Sequence, residues 1–194
     1  MSIRSRIAAF AASIALPLAF APGLAGAQGA PAGPAPLKVG DAAPDFTVTT
    51  VTAAGITSKP FRLSEHKGET VILAFFPKAR TRGCTVQMES YRDRYAELFK
   101  SGEKVTLVGV SVDPDSALTS WAKDAKFPFQ FAADVDRKVG VAYAASTGDG
   151  FHKRLLYVIN PQGKISYVAA PFNQMSADAY TDLGSAITMA GHGH

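Results

Sequence analysis

The strongest constraint on this chain is a short run without a polar residue, Val71-Ile72-Leu73-Ala74-Phe75-Phe76. A strand with one wet face alternates apolar and polar residues, so an unbroken apolar run reads as a strand covered on both faces. A second buried strand is read at 105–112. Between them Cys84, Met88, Tyr91, Tyr95 and Leu98 recur at spacings of four, three, four and three, which is one face of a helix. Ser101-Gly102 ends that pattern. Strand, helix and strand in this order form the unit from which α/β sheets are built.

The rest of the chain continues the alternation. Residues 46–51 read as a strand, Ala53-Ala54-Gly55 as a turn and 61–63 as a short return. Asp113-Pro114 is a cap-and-proline helix start, and the helix with Leu118, Trp121 and Ala122 runs to about Lys126. A short strand at 129–132 and a short helix at 137–143 follow. Residues 155–159 and 165–168 flank the turn Asn160-Pro161-Gln162-Gly163 as a hairpin, and 176–189 form a last amphipathic helix. The expected fold class is α/β, a central mixed β-sheet flanked by helices, within one domain at 37–190.

The ends read differently. Residues 1–27 carry Arg4 and Arg6, an apolar stretch from Ile7 to Phe20, and Ala25-Gly26-Ala27 in the pattern of a cleavage site. That is the form of a secretory signal peptide, and it predicts export to the periplasm or the exterior. The stretch is short and broken by Pro17, whereas a membrane span needs about 20 apolar residues. Residues 28–36 are Gly/Ala/Pro-rich and read as a flexible leader, and 191–194 as a flexible tail. The formal charge is +4, and +2 once Arg4 and Arg6 are removed, which gives no case for a nucleic-acid partner. Exported chains usually keep cysteines in pairs, yet Cys84 is the only one. A lone cysteine there points to an intermolecular bond or a free reactive thiol.

Its position favours reactivity. If the helix starts near Arg82 or Gly83, Cys84 sits in the first turn, where unpaired backbone N–H groups and the positive end of the helix dipole favour an anion. Lys78, Arg80 and Arg82 add positive charge to the same segment. Ionisation alone is a small effect. An ordinary thiol is about 3% ionised at neutral pH, so full ionisation gains about 30-fold, against the 10⁶-fold or more that enzymes supply. Donors for charge developing on a substrate are needed as well. Thr81 can bring a hydroxyl toward the sulfur, Gly83 admits a ligand close to the backbone, and Pro77 walls the pocket without an N–H of its own. A hydroperoxide suits such a site.

The string Pro77-x-x-x-Thr81-x-x-Cys84 resembles the active-site signature of the peroxiredoxins. The opening Val39-Gly40-Asp41-Ala42-Ala43-Pro44-Asp45-Phe46 is similar to theirs. Gly83-Cys84-Thr85-Val86-Gln87 with Tyr91-Arg92-Asp93 resembles the bacterioferritin-comigratory, or peroxiredoxin Q, branch. The resemblance implies a thioredoxin-like fold and thiol-dependent reduction of hydroperoxides, with no cofactor and no metal, in a monomer or homodimer. It implies that Cys84 is the peroxidatic cysteine and that Pro77 shields it. Thr81, Gly83 and Arg154 would bind the peroxide, Arg154 standing just before the strand Leu155-Leu156-Tyr157-Val158-Ile159. The branch often has a resolving cysteine five residues after the first, where this chain has Glu89. An external thiol, from a thioredoxin-like protein or a small molecule, would therefore reduce the sulfenic acid. Arg82 stands where the branch commonly has proline. The competing reading is a non-catalytic binding module or redox sensor that forms a mixed disulfide through Cys84. A Cys-x-x-Cys oxidoreductase is excluded by the missing second thiol.

Overall fold

The computed structural model describes residues 35–192. The signal-peptide reading at 1–27, most of the leader, and Gly193 and His194 lie outside the described residues. Four short strands come first: β1 (Thr47–Val48), β2 (Thr50–Thr52), β3 (Gly55–Ile56) and β4 (Phe61–Arg62). Then follow β5 (Thr70–Phe75), α1 (Arg82–Asp93), α2 (Tyr95–Phe99), β6 (Val105–Ser111), α3 (Asp115–Ala125) and β7 (Gln130–Ala133). The chain continues through α4 (Lys138–Ala142), β8 (Leu155–Ile159), β9 (Ile165–Ala169) and α5 (Ala177–His192).

Seven strands form one mixed sheet in the order β3-β2-β7-β6-β5-β8-β9, with β5, β6 and β7 parallel and the outer pairs antiparallel. The α/β expectation is met by a thioredoxin-like arrangement with β5 and β6 at its centre. One expected strand, 46–51, is two. β1 pairs with β4 in a separate ribbon while β2 pairs with β3 and β7, so the chain changes sheets at Thr49. The last helix also runs past the expected end at 189, as far as His192.

The apolar run behaves as its composition requires. All six residues of β5 are buried. Ile72, Ala74 and Phe76 join the layer that holds Cys84, Met88, Tyr91, Trp121 and α5, while Val71, Leu73 and Phe75 join the layer with Val110, Tyr143 and Tyr157. Successive side chains point to opposite faces of a strand, so one run feeds two cores. Burying each of the large side chains contributes about 1.5–3 kcal/mol. The helical stripe is real but crosses a break. Arg94, at φ −109 and ψ 21, separates α1 from α2, yet Cys84, Met88, Tyr91 and Leu98 are all buried on one side.

One buried polar contact fixes the path into β8. Asp134 accepts hydrogen bonds from Val139 N (3.1 Å), Gly140 N (2.7 Å) and His152 Nε2 (3.0 Å). Asp134 and His152 are both about 1% exposed. The strand β8 begins three residues after His152, so this contact pins the loop that delivers Arg154. Asp134→Ala would leave the imidazole and two amides without an acceptor. We expect a loss of about 3 kcal/mol in urea unfolding, with a smaller loss in Asp134→Asn, which keeps one acceptor. A loss under about 1 kcal/mol in both would contradict this account.

Candidate active site

The sheet register assembles the site. β8 runs antiparallel to β5 with Leu155 opposite Phe75. The residue that precedes β8, Arg154, therefore reaches the edge of the sheet where β5 ends and the Pro77 loop begins. That loop leads into α1, with Thr81 in an extended conformation (φ −73, ψ 149) at its N-cap. The first bond of the helix ladder runs from Thr85 N to Thr81 O at 2.8 Å. The N–H groups of Gly83 and Cys84 thus have no acceptor within the helix and remain donors to whatever lies at its mouth.

Cys84 is fully buried, at 0% exposure. Arg154 Nη2 donates to its Sγ at 3.4 Å across a sequence separation of 70. Arg154 Nη1 donates to Gln87 Oε1, and Gln87 Nε2 donates to the Tyr91 hydroxyl at 2.9 Å. The guanidinium has donors only, so it takes the Gln87 oxygen and turns the amide NH2 toward Tyr91, whose phenol burial holds well above its usual range and keeps neutral. The guanidinium is thereby clamped between an amide and the sulfur. Gly83 lets two side chains pack close to its backbone. A Cβ there would lie 3.0 Å from Gln174 Nε2 and 3.2 Å from Arg154 Nη2.

Cys84, Gly83 and Arg154 thus converge as the sequence suggested. Pro77 is half-buried between β5 and the loop. The Thr81 hydroxyl neither caps the helix nor bonds the sulfur, and donates instead to Lys78 O at 2.9 Å. Arg80 departs from expectation. Its Nη2 donates to Ser120 Oγ (3.0 Å) and pairs with Asp124 (2.5 Å) on α3, so its charge is spent away from the sulfur. Lys78 and Arg82 are exposed. Glu89, in the place of a resolving thiol, pairs with Arg92 at 3.6 Å and not with Arg154.

Asp113 also does something other than what its sequence context predicts. It makes no cap on α3, whose N-cap is Pro114. Its Oδ2 accepts from Ala79 N at 2.8 Å and from Ser111 Oγ at 2.9 Å, tying the loop to the end of β6. Asp113, Gln87 and Gln174 are the site residues that sequence reasoning missed. Gln87 lies three residues after Cys84 on the same helix face, a spacing that could have exposed it. The cavity lined by Asp45, His66, Glu69, Val71 and Asn160 lies at the other end of β5 and includes no residue of this site. No cluster of three or more metal-ligating side chains occurs among the described residues.

A buried thiol clamped by a guanidinium, beside free backbone donors, can attack a small electrophile and stabilise the anion that leaves. Comparison with known proteins agrees. Residues 39–168 match the AhpC/TSA family. The chain is 34% identical over 145 residues to peroxiredoxin Bcp of Escherichia coli K12, covering 71% of this chain and 88% of that protein. Among solved structures, peroxidoxin BcpB of Mycobacterium tuberculosis aligns with a TM-score of 0.65 at 25% identity, over 79% of this chain and 97% of that one. Peroxiredoxin Q of Xanthomonas campestris shares the fold, with a TM-score of 0.63 at 20% identity, over 75% and 91% of the two chains.

The Asp113 tie has a local readout. Asp113→Ala leaves the Ala79 N–H and the Ser111 hydroxyl without their acceptor. Hydrogen exchange should show the Ala79 amide losing its protection while the amides of β5 and β6 keep theirs. Retained protection at Ala79 would mean the loop is held by something else.

Proposed function

The chain belongs to the AhpC/TSA family, and on that premise we propose that it is a one-cysteine, thiol-dependent peroxidase acting on hydrogen peroxide and organic hydroperoxides. The observation that carries this reading is the Arg154 guanidinium on the Cys84 sulfur at 3.4 Å. The sulfur attacks the hydroperoxide oxygen that bears hydrogen. An S–O bond forms as the O–O bond breaks, and the second oxygen leaves as hydroxide or alkoxide and takes up a proton. The product is Cys84 sulfenic acid.

Each neighbour has a part in that step. Arg154 donates to the sulfur and to the peroxide oxygens, a double task that its fixed fork of donors suits. The Gly83 and Cys84 N–H groups stabilise the developing charge. The Thr81 hydroxyl gives its proton to Lys78 O, so its lone pairs face outward as acceptors for the peroxide O–H. Pro77 keeps water from the sulfur. An external thiol then displaces water from the sulfenic acid to form a mixed disulfide, and a second thiol releases reduced Cys84. A buried sulfur suits a small oxidant far better than a partner chain, which speaks against the binding-module reading. Reduction by a protein thiol therefore needs the first turn of α1 to open.

Cys84→Ser should abolish peroxide consumption. Arg154→Lys should lower kcat/KM by about 100-fold, because a point charge replaces a two-armed donor. Wild-type protein as inert as Cys84→Ser would end the reading. Residues 1–27 further support export, with the mature chain in the periplasm or outside the cell. Intact mass measured on protein from its native host should then begin at Gln28, and a full-length mass would contradict this.

A further inference from the structure

We infer that Gln174 is a further substrate-contacting residue, whose side-chain amide holds the departing peroxide oxygen and gives the site a preference for hydrogen peroxide over alkyl hydroperoxides. This rests on the peroxidase reading of the same site. Gln174 lies in the segment between β9 and α5, ninety residues beyond Cys84 in sequence. Its Nε2 comes within 3.0 Å of the position a Gly83 Cβ would take, and Arg154 Nη2 comes within 3.2 Å of the same point. The amide nitrogen and the guanidinium therefore both pack on the Gly83 Cα at the mouth of α1, close enough together to meet a common acceptor. Two donors that each reach about 3 Å to an acceptor can share one peroxide between them.

The placement is enforced from behind. Tyr180 Oη donates to the backbone oxygen of Gln174 at 2.9 Å. Two residues earlier, Phe172 N donates to Arg154 O at 3.0 Å, and the Phe172 ring is buried against Tyr91 and Tyr180. The segment is thus tied to the residue that touches the sulfur. Its backbone is fixed, while the Gln174 side-chain amide makes no hydrogen bond to other described residues. A half-buried amide held over the first turn of the helix, with its donors and acceptor unspent, is placed for a ligand.

The chemistry separates two substrates. In hydrogen peroxide the leaving oxygen still bears a hydrogen; in an alkyl hydroperoxide it bears carbon. An amide has both a donor and an acceptor. Nε2 can stabilise charge on the leaving oxygen of either substrate. Oε1 can accept a hydrogen bond from the leaving oxygen only when the substrate is hydrogen peroxide. A site that hydrogen-bonds a substrate O–H discriminates against the analogue that lacks it.

The test uses the mature wild-type protein, Gln174→Leu and the near-isosteric Gln174→Met. Stopped-flow measurement gives the rate of Cys84 oxidation by hydrogen peroxide and by tert-butyl hydroperoxide. Alkylation of Cys84 by iodoacetamide reports whether the sulfur itself is disturbed. Both variants should lose about 10-fold toward hydrogen peroxide and markedly less toward tert-butyl hydroperoxide, with alkylation unchanged. An unchanged ratio of the two peroxide rates in both variants, or a loss matched by slower alkylation, overturns the inference while the peroxidase reading stands. A wild-type protein inert toward both peroxides removes that reading, and this inference with it.

Discussion

The contact between Arg154 and Cys84 is the constraint around which the molecule is arranged. The two residues stand 70 apart in sequence, and the antiparallel register of β5 and β8 brings them to one end of the sheet. A guanidinium aimed at a buried sulfur loses much of its water, so it must be satisfied by the protein. Gln87 meets that need on one side, and the Tyr91 hydroxyl accepts from the Gln87 amide in turn. The thiol, the amide and the phenol all sit on the inward face of α1, at positions separated by three and four residues. One helix face therefore supplies the reactive atom and the support of its partner.

The loop on the other side of the sulfur is held by a separate set of ties. Asp113 at the end of β6 grips the Ala79 amide, and Arg80 reaches α3 through Ser120 and Asp124. Arg80 takes a positive φ of 63 to do so. The mouth of α1 is thus suspended from three neighbours: β6, α3 and the start of β8. Such a frame lets the donors stand ready before a substrate arrives, which is where most of the benefit of charge stabilisation lies.

Much of this was legible in the sequence because the governing interactions are local or periodic. The run at 71–76 declared a doubly covered strand, and the spacing from Cys84 to Leu98 declared the helix face. The hairpin around Asn160 announced itself by turn chemistry. What was not legible depends on contacts between distant residues. Asp113 looks like a helix cap beside Pro114, and nothing local says that its carboxyl group turns toward residue 79. Arg80 looks like part of a basic cluster until α3 supplies its acid. Gln174 lies in a stretch without period or motif, so only the fold reveals it beside Gly83. The split at Thr49 escaped for a related reason, since pairing partners and not residue types decide where a strand changes sheets.

Glu89 gives the site its economy and its exposure. With a carboxylate bound to Arg92 where a second thiol would sit, oxidised Cys84 has no second cysteine in this sequence to close upon. On the proposed mechanism its sulfenic acid waits for an outside thiol, and a second peroxide that reaches it first drives it to sulfinic acid, a state that thiols do not reverse. Under that mechanism the working life of each molecule is set by a race between two solutes, and a flood of oxidant would silence the protein when thiols run short.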